Sequence, residues 1–479
     1  MCALRPSAAA SDGGRSRLPA WPLWGLAAAA LALLGVALRS PFFDAPLTAD
    51  EGGYAEIARL WSHGQRLYQG DWVDRPQGLI LVFRGALGLG FTSAGGLRAV
   101  AAGLAVLLVL LAALLRERTG GRARGLVVAA LVATAGASPF IESFTLSGEL
   151  VASVVATAAI LTFARYVSTG RSRWLVCSGI CAGSAWMVKQ SAVDAALTVG
   201  VCLAFRRCKL SHFAVFIASV ATPIATGVLL SGDPGAWYGA VVGYGLHASG
   251  SGVTLLERWT LFRRSLGAAA KALGPVAVLA ALGWWRSPAL ARVWLTAAAV
   301  GVLLGGGFHA HYYLQLVVPL SFVAAFVPLS GWSRAASAAA AAAATLAFAA
   351  PLWNATDLAQ ARAIWPTDTH LRSDSAVADF IRRHTRPSQR IYVLWAAADL
   401  YYLADRRPAL PYLWFRNVQT IHGAIAAVRQ LLDRRAAALV VVEQAPSSAD
   451  PSGVVAAALL RNFHLDARVD GVAIYGPKR

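Results

Sequence analysis

Carboxylates are scarce in this sequence, 24 among 479 residues, and charged side chains of all kinds make up only 14% of it. A chain so poor in charge and 57% hydrophobic does not have the composition of a water-soluble protein. Cysteine is confined to Cys2, Cys177, Cys181, Cys202 and Cys208, with none of the spacings of a zinc module. Cys177 and Cys181 lie one helical turn apart in an apolar stretch, where a thiol packs as a small hydrophobe, and no disulfide is expected. What the chain has instead is apolar runs, a mean hydropathy of +0.55 and a formal net charge of +19.

The basic residues decide what that charge means. They fall in short loops between apolar runs, which is the positive-inside distribution of a polytopic membrane protein and not the clustered patch of a nucleic-acid binder. The first run, residues 21–38, follows Arg5, Arg15 and Arg17 and reads as an uncleaved helix leaving a cytoplasmic tail, 1–20. Ten further spans are expected at 97–115, 125–140, 148–166, 174–188, 192–205, 212–230, 265–285, 293–307, 316–329 and 335–350. The run 76–91 is short, carries Arg84 and reads as a helix lying along the interface. This assignment places the basic loops at 116–124, 165–173 and 206–209 on one side, inside. A longer outer loop is expected at 231–264, with Arg258, Arg263 and Arg264 as headgroup anchors or anion ligands.

After about residue 352 the composition changes, and 353–479 reads as a small extracytoplasmic α/β domain. R-I-Y-V-L-W, A-A-L-V-V-V-E and V-A-I-Y are expected strands, and 373–384 and 418–434 expected amphipathic helices, the first capped by Ser373 or Asp374. Neither G-x-G-x-x-G nor a P-loop occurs in it.

The first outer loop, 40–96, is where the scarce acids concentrate. Between residues 41 and 75 lie Asp44, Asp50, Glu51, Glu56, Asp71 and Asp74, a quarter of all the carboxylates in the chain. Acids beside a membrane are costly to desolvate, so the pair Asp50 and Glu51 is a candidate catalytic centre. Capping of a helix that starts near Gly52 explains one acid but not both. Glu149, in T-L-S-G-E-L, is the second candidate, and Glu142 in its loop a weaker one. Cations share the same expected face: Arg75, Lys189, and His309 and His311 of H-A-H-Y-Y-L-Q, whose i, i+2 spacing is not the helical zinc arrangement. Carboxylates facing cations above a membrane match what transfer of a sugar from a lipid phosphate requires. Cations hold the phosphate, and one carboxylate takes the proton of the acceptor hydroxyl.

The order D-E-G-G-Y-A-E-I-A-R, D-R-P-Q-G-L, T-L-S-G-E-L, W-M-V-K-Q-S-A and H-Y-Y-L-Q-L-V-V-P-L resembles the family 39 and aminoarabinose-transferase-like glycosyltransferases of the C-type membrane fold, relatives of the protein O-mannosyltransferases. The likeness covers about the first 330 residues. It implies a GT-C bundle of about eleven transmembrane helices, a polyprenyl-phosphate sugar donor, inversion at the anomeric carbon, and an acceptor hydroxyl on a glycan, lipid, protein or natural product. It implies Asp50 as base, Glu51 as its acidic neighbour and Glu149 as the second acid, with Tyr54, Arg75, Lys189, His309, His311, Tyr312 and Gln315 around donor and phosphate. Two departures stand out: the usual K-P-P-L appears as Arg75-Pro76-Gln77-Gly78, and Gln190 replaces a glycine after Lys189. No cofactor is fixed by the sequence; metal use stays open, with Asp50, Glu51 and Glu149 as candidate ligands for a divalent metal. The alanine and arginine content points to a GC-rich bacterial genome, hence to a bacterial plasma membrane. The rival reading is a secondary transporter or lipid-linked-sugar flippase with Glu149 and Lys189 as coupling residues; the chain lacks the internal repeat such proteins show.

Overall fold

The computed structural model describes residues 20–115, 121–250, 254–304, 306–395 and 397–479. The readings made on Cys2, Arg5, Arg15, Arg17, Arg116 and Arg118 lie outside them.

The chain opens with α1 (Ala20–Ala37), which carries no charge and leaves Leu23, Leu26 and Leu33 about two-thirds exposed, the pattern of a lipid-facing surface. Then come α2 (Ala49–Ser62), α3 (Gln77–Gly88) and α4 (Ala94–Leu114). A helix stands at each expected span, and among the described residues six are long and apolar enough to cross a membrane, which makes this a multi-pass membrane protein. The other five, among them Arg122–Ala135, Asp194–Phe205 and Leu314–Ala324, have 11 to 17 residues, or less than about 26 Å of helix against about 30 Å of hydrocarbon. Leu314–Ala324 is buried along its length, whereas Asp194–Phe205 and Ala289–Leu304 leave Phe205, Leu303 and Leu304 more than half exposed. The helix Ser172–Val188 sits so close to Leu210–Leu230 that a Cβ on Gly179 would lie 2.5 Å from Ser219 Cβ, and one on Gly183 2.2 Å from the Val220 carbonyl oxygen. Small residues bring helices together where lipid removes the usual hydrophobic drive.

The expected long outer loop, 231–264, is largely helical. Short turns at Pro234–Tyr238 and Tyr244–Gly250 precede a helix that already begins at Leu255 and runs to Gly283, so Arg258, Arg263 and Arg264 lie on its first three turns. The Thr254 to Glu257 capping box, with Thr254 N to Glu257 Oε2 at 2.7 Å, starts that helix ten residues before its apolar stretch.

The C-terminal domain carries a five-stranded sheet in the order β2-β1-β3-β5-β4: β1 (Arg390–Leu394), β2 (Arg407–Pro408), β3 (Leu439–Val442), β4 (Phe463–Val469) and β5 (Val472–Pro477). β1 runs parallel to β2 and β3, and β5 pairs antiparallel with β3 and β4. The three strands expected from sequence are β1, β3 and β5. β4 escaped notice because it is an edge strand whose F-H-L-D-A-R-V is mostly exposed. The expected helix 418–434 is broken at Gly423, whose φ of 82° ends Phe415–Thr420 and lets Ala424–Asp433 begin. The expected Ser373 cap does not form: the Ser373 hydroxyl donates to the His370 carbonyl instead, at 3.0 Å.

This domain sits on the acidic loop as a roof. Gln360 donates to the Pro41 carbonyl at 2.9 Å, the Tyr402 hydroxyl to the Thr92 carbonyl at 2.6 Å, and Arg59 pairs with Asp405. The two glycines of D-E-G-G-Y make the contact: a Cβ on Gly52 would fall 2.4 Å from Asp399 Cα, and one on Gly53 2.4 Å from Trp414 Cζ2.

Candidate active site

The site begins with how the chain leaves α1. Buried Arg39 donates to the carbonyls of Gly35, Gly136 and Ser143, tying the end of α1 to the turn before Gly148–Thr169. Arg98 of α4, also buried, gathers the carbonyls of Phe42, Phe43, Ala45 and Pro46 and then meets Glu51 Oε2 at 3.1 Å. These bonds fix the entry to α2. Thr48 and Glu51 complete a reciprocal capping box, and Glu51 Oε1 accepts from the Leu146 amide at 3.2 Å.

That network separates the roles of the six acids. Glu51 is buried and engaged on both oxygens, by Arg98 and by Leu146, so it is built into the scaffold that aims its neighbour. Glu56 is buried against Arg59, and Asp74 pairs with Arg75 at 2.7 Å. Asp71 is buried beside Glu56, and burial pushes its carboxyl up to about 7. Asp44 stays at the loop edge, its Oδ1 3.9 Å from a Cβ built on Gly95. Asp50 keeps partial exposure, and among the described residues its hydrogen-bond donor is Trp414, Nε1 to Oδ1 at 3.1 Å, supplied by the roof domain.

Around Asp50 the structure gathers groups from five separate stretches of sequence. Arg75, Lys189 and His309 all lie within electrostatic reach of its carboxylate, as do Tyr54 and Tyr312. Lys189, the residue that ends Ser172–Val188, reaches Glu149 and places its ammonium 3.8 Å from the centre of the Tyr312 ring. His311 bridges two acids, Nδ1 to Glu142 Oε2 at 3.0 Å and Nε2 to Glu149 Oε1 at 3.5 Å, while His309 stacks on it with ring centres 5.4 Å apart. Burial alone would raise the Glu142 carboxyl, but His311 and then His309 outweigh it and hold it below the usual carboxylate range. His309 is pushed down, by burial first and by His311 next, so its neutral form is favoured. Tyr54 lies under Trp414, ring centres 5.3 Å apart.

Gln315 spends its amide inside the bundle, donating to the Ser191 carbonyl at 3.1 Å and to Asp194 Oδ1 at 3.4 Å. Of the three candidate metal ligands, Glu51 is paired with Arg98 and Glu149 with Lys189. The sequence reading also missed Trp414 and Arg98. For Trp414 the adjacent glycines Gly52 and Gly53 were the available signal, since a helix start with two missing side chains invites a close partner.

An apolar groove of about 480 Å³ lies elsewhere, between Leu197, Trp284 and Thr296. Arg292 is its sole charged lining residue.

No protein-family model matches the sequence, and no curated protein matches it. Solved structures do. ArnT from Cupriavidus metallidurans in the apo state is 13% identical with a TM-score of 0.61, the match covering 95% of this chain and 98% of that one. The same protein bound to undecaprenyl phosphate gives 14%, 0.60, 96% and 98%. The oligosaccharyltransferase AglB from Archaeoglobus fulgidus, in complex with an inhibitory peptide and a dolichol-phosphate, gives 13% and 0.51, covering 96% of this chain and 75% of that one. At these identities the likeness is one of fold, and it is the C-type membrane glycosyltransferase fold that the sequence resemblance implied.

Proposed function

We propose that this protein transfers a monosaccharide from a polyprenyl-phosphate donor to an acceptor hydroxyl on the outer side of a bacterial plasma membrane, with inversion. The observation that carries the reading is the convergence of Asp50 with Arg75, Lys189 and His309 in one chamber at one end of the bundle. ArnT, whose fold extends over nearly the whole chain, binds undecaprenyl phosphate, which supports the donor class.

In this mechanism Asp50 accepts the acceptor hydroxyl proton as the oxygen attacks the anomeric carbon. The bond from that carbon to the phosphate oxygen breaks, and the polyprenyl phosphate leaves with the electron pair. The leaving phosphate carries its charge without a proton, so no general acid is needed on that side, unlike a glycoside hydrolase. Arg75 and Lys189 offer fixed positive charge to it. Glu149 and Glu51 act through those they hold: Glu149 orients Lys189 and His311, and Glu51 orients the start of α2.

The test is Asp50→Asn in full-length protein assayed with polyprenyl-phosphate sugars and an extracted acceptor pool. Turnover is expected to fall by about 10²- to 10⁴-fold, the usual weight of a general base. Turnover within twofold of the parent, in protein that melts normally, would remove Asp50 from the chemistry.

A further inference from the structure

A second group of carboxylates lies behind the roof's contact with α2. His370, in the turn Thr369–Arg372, and Asp374 and Asp399, the first residues of Asp374–His384 and Asp399–Ala404, bring one ligand atom each within 4.8 Å of one another. His370 Nδ1 lies 2.7 Å from Asp374 Oδ2. Asp374 is 2% exposed and Asp399 fully buried, and Asp374 Oδ1 and both Asp399 oxygens meet no side-chain donor among the described residues beyond a proton the two carboxyls would share. Glu443, directly after β3, adds a third carboxylate, which Asp374 senses and which itself senses Asp399, and its Oε1 is buried without a partner too. Among the described residues no lysine or arginine makes an ion pair with any of the three. Buried acids with no fixed counter-charge are strongly unfavourable unless something cationic joins them.

The place in the fold is a binding place. Asp399 follows β1 and Glu443 follows β3, so both stand beyond the carboxyl ends of two adjacent parallel strands, where α/β sheets characteristically hold ligands. We infer that His370, Asp374 and Asp399, with Glu443 beside them, form a divalent transition-metal site for Zn²⁺ or Mn²⁺ that locks the roof domain onto α2. One imidazole among carboxylates favours these ions over Mg²⁺, which prefers an all-oxygen shell. Asp399 Cα is also the atom that a side chain at Gly52 would strike, so the ion sits one residue from the helix that bears Asp50. The site is separate from the proton transfer assigned to Asp50, and its role is to position that helix.

Full-length protein purified without added metal and analysed by inductively coupled plasma mass spectrometry is expected to carry about one Zn or Mn per chain. Chelation is expected to lower its melting temperature by several degrees, and Zn²⁺ or Mn²⁺, but not Mg²⁺, to restore it. Asp399→Asn is expected to lose the metal. His370→Gln, at the more exposed ligand, tests the same point where Asp399→Asn does not fold. Asp50→Asn keeps the metal, so failure of the transfer mechanism and failure of this site are distinguishable. Metal-free wild-type protein whose melting ignores Zn²⁺ and Mn²⁺ would overturn the inference and assign the cluster to carboxyls sharing protons. Metal retained equally by both ligand variants would overturn it as well.

Discussion

The bundle and the roof treat their buried acids differently. In the bundle, Glu51 has Arg98 and Glu149 has Lys189, each a cation fixed by the chain itself. In the roof, His370 is the one cationic partner among the described residues for Asp374, Asp399 and Glu443. A fixed cation makes a geometry permanent as soon as the chain folds, whereas an unfilled set of acids leaves the geometry to whatever is bound. The chamber therefore rests on a scaffold that is complete in itself beneath a roof whose seating depends on its surroundings.

The contrast can be broken most severely at Arg98. Arg98→Met strips the counter-charge from Glu51 and the donors from four carbonyls, and is expected to cost about 3–5 kcal/mol in unfolding experiments, the range for a buried pair with one partner removed. Adding Glu51→Gln should recover part of this. A smaller effect is expected for Trp414→Phe, which keeps the ring on Tyr54 and deletes the donor to Asp50. A hydrogen bond to a charged group is worth about 1.5–3 kcal/mol, so kcat should fall roughly 10- to 100-fold with little change in melting. Gly52→Ala sets a helix-propensity gain of about 1 kcal/mol against overpacking of about 1–3 kcal/mol or more. The clash is with the Asp399 backbone, which cannot swing aside, so a net loss of stability is expected in a melting comparison. The smallest effect is that of pH. His309, facing Lys189, His311, Asp50 and Glu142, has a depressed pKa. The unfolded chain therefore takes up the proton first, and stability should decline as pH falls from about 6.5 toward the folded value. Glu142, depressed in its turn, contributes stability above about pH 4.5 that is lost as pH falls through its own folded value. Melting temperatures measured from pH 8 to about pH 3 should show the two losses in that order, and His309→Gln should remove the first.

The bundle was legible because lipid imposes long apolar runs and the sign of the loops follows them. Even so, hydropathy could not separate the six long helices from the five short ones, since an alanine-rich helix packed against protein reads like one facing lipid. The cations Arg75, Lys189, His309 and His311 could be named because each interrupts an apolar context. Gln315 stood out for the same reason, and its amide also serves Asp194. Trp414 and the roof acids were out of reach. They lie in ordinary-looking soluble sequence, and their meaning comes only from contacts such as Trp414 with Asp50, 364 positions apart.

The bond from Trp414 to Asp50 also bears on biosynthesis. Every bundle helix is made before residue 353, so the membrane portion can be inserted and packed while the indole is still on the ribosome. The acid in the first loop then waits, unclamped, until Trp414, 364 positions later, has emerged. A nascent chain holds the Asp50 cluster without its latch, and the clamp closes only after the whole bundle has been made.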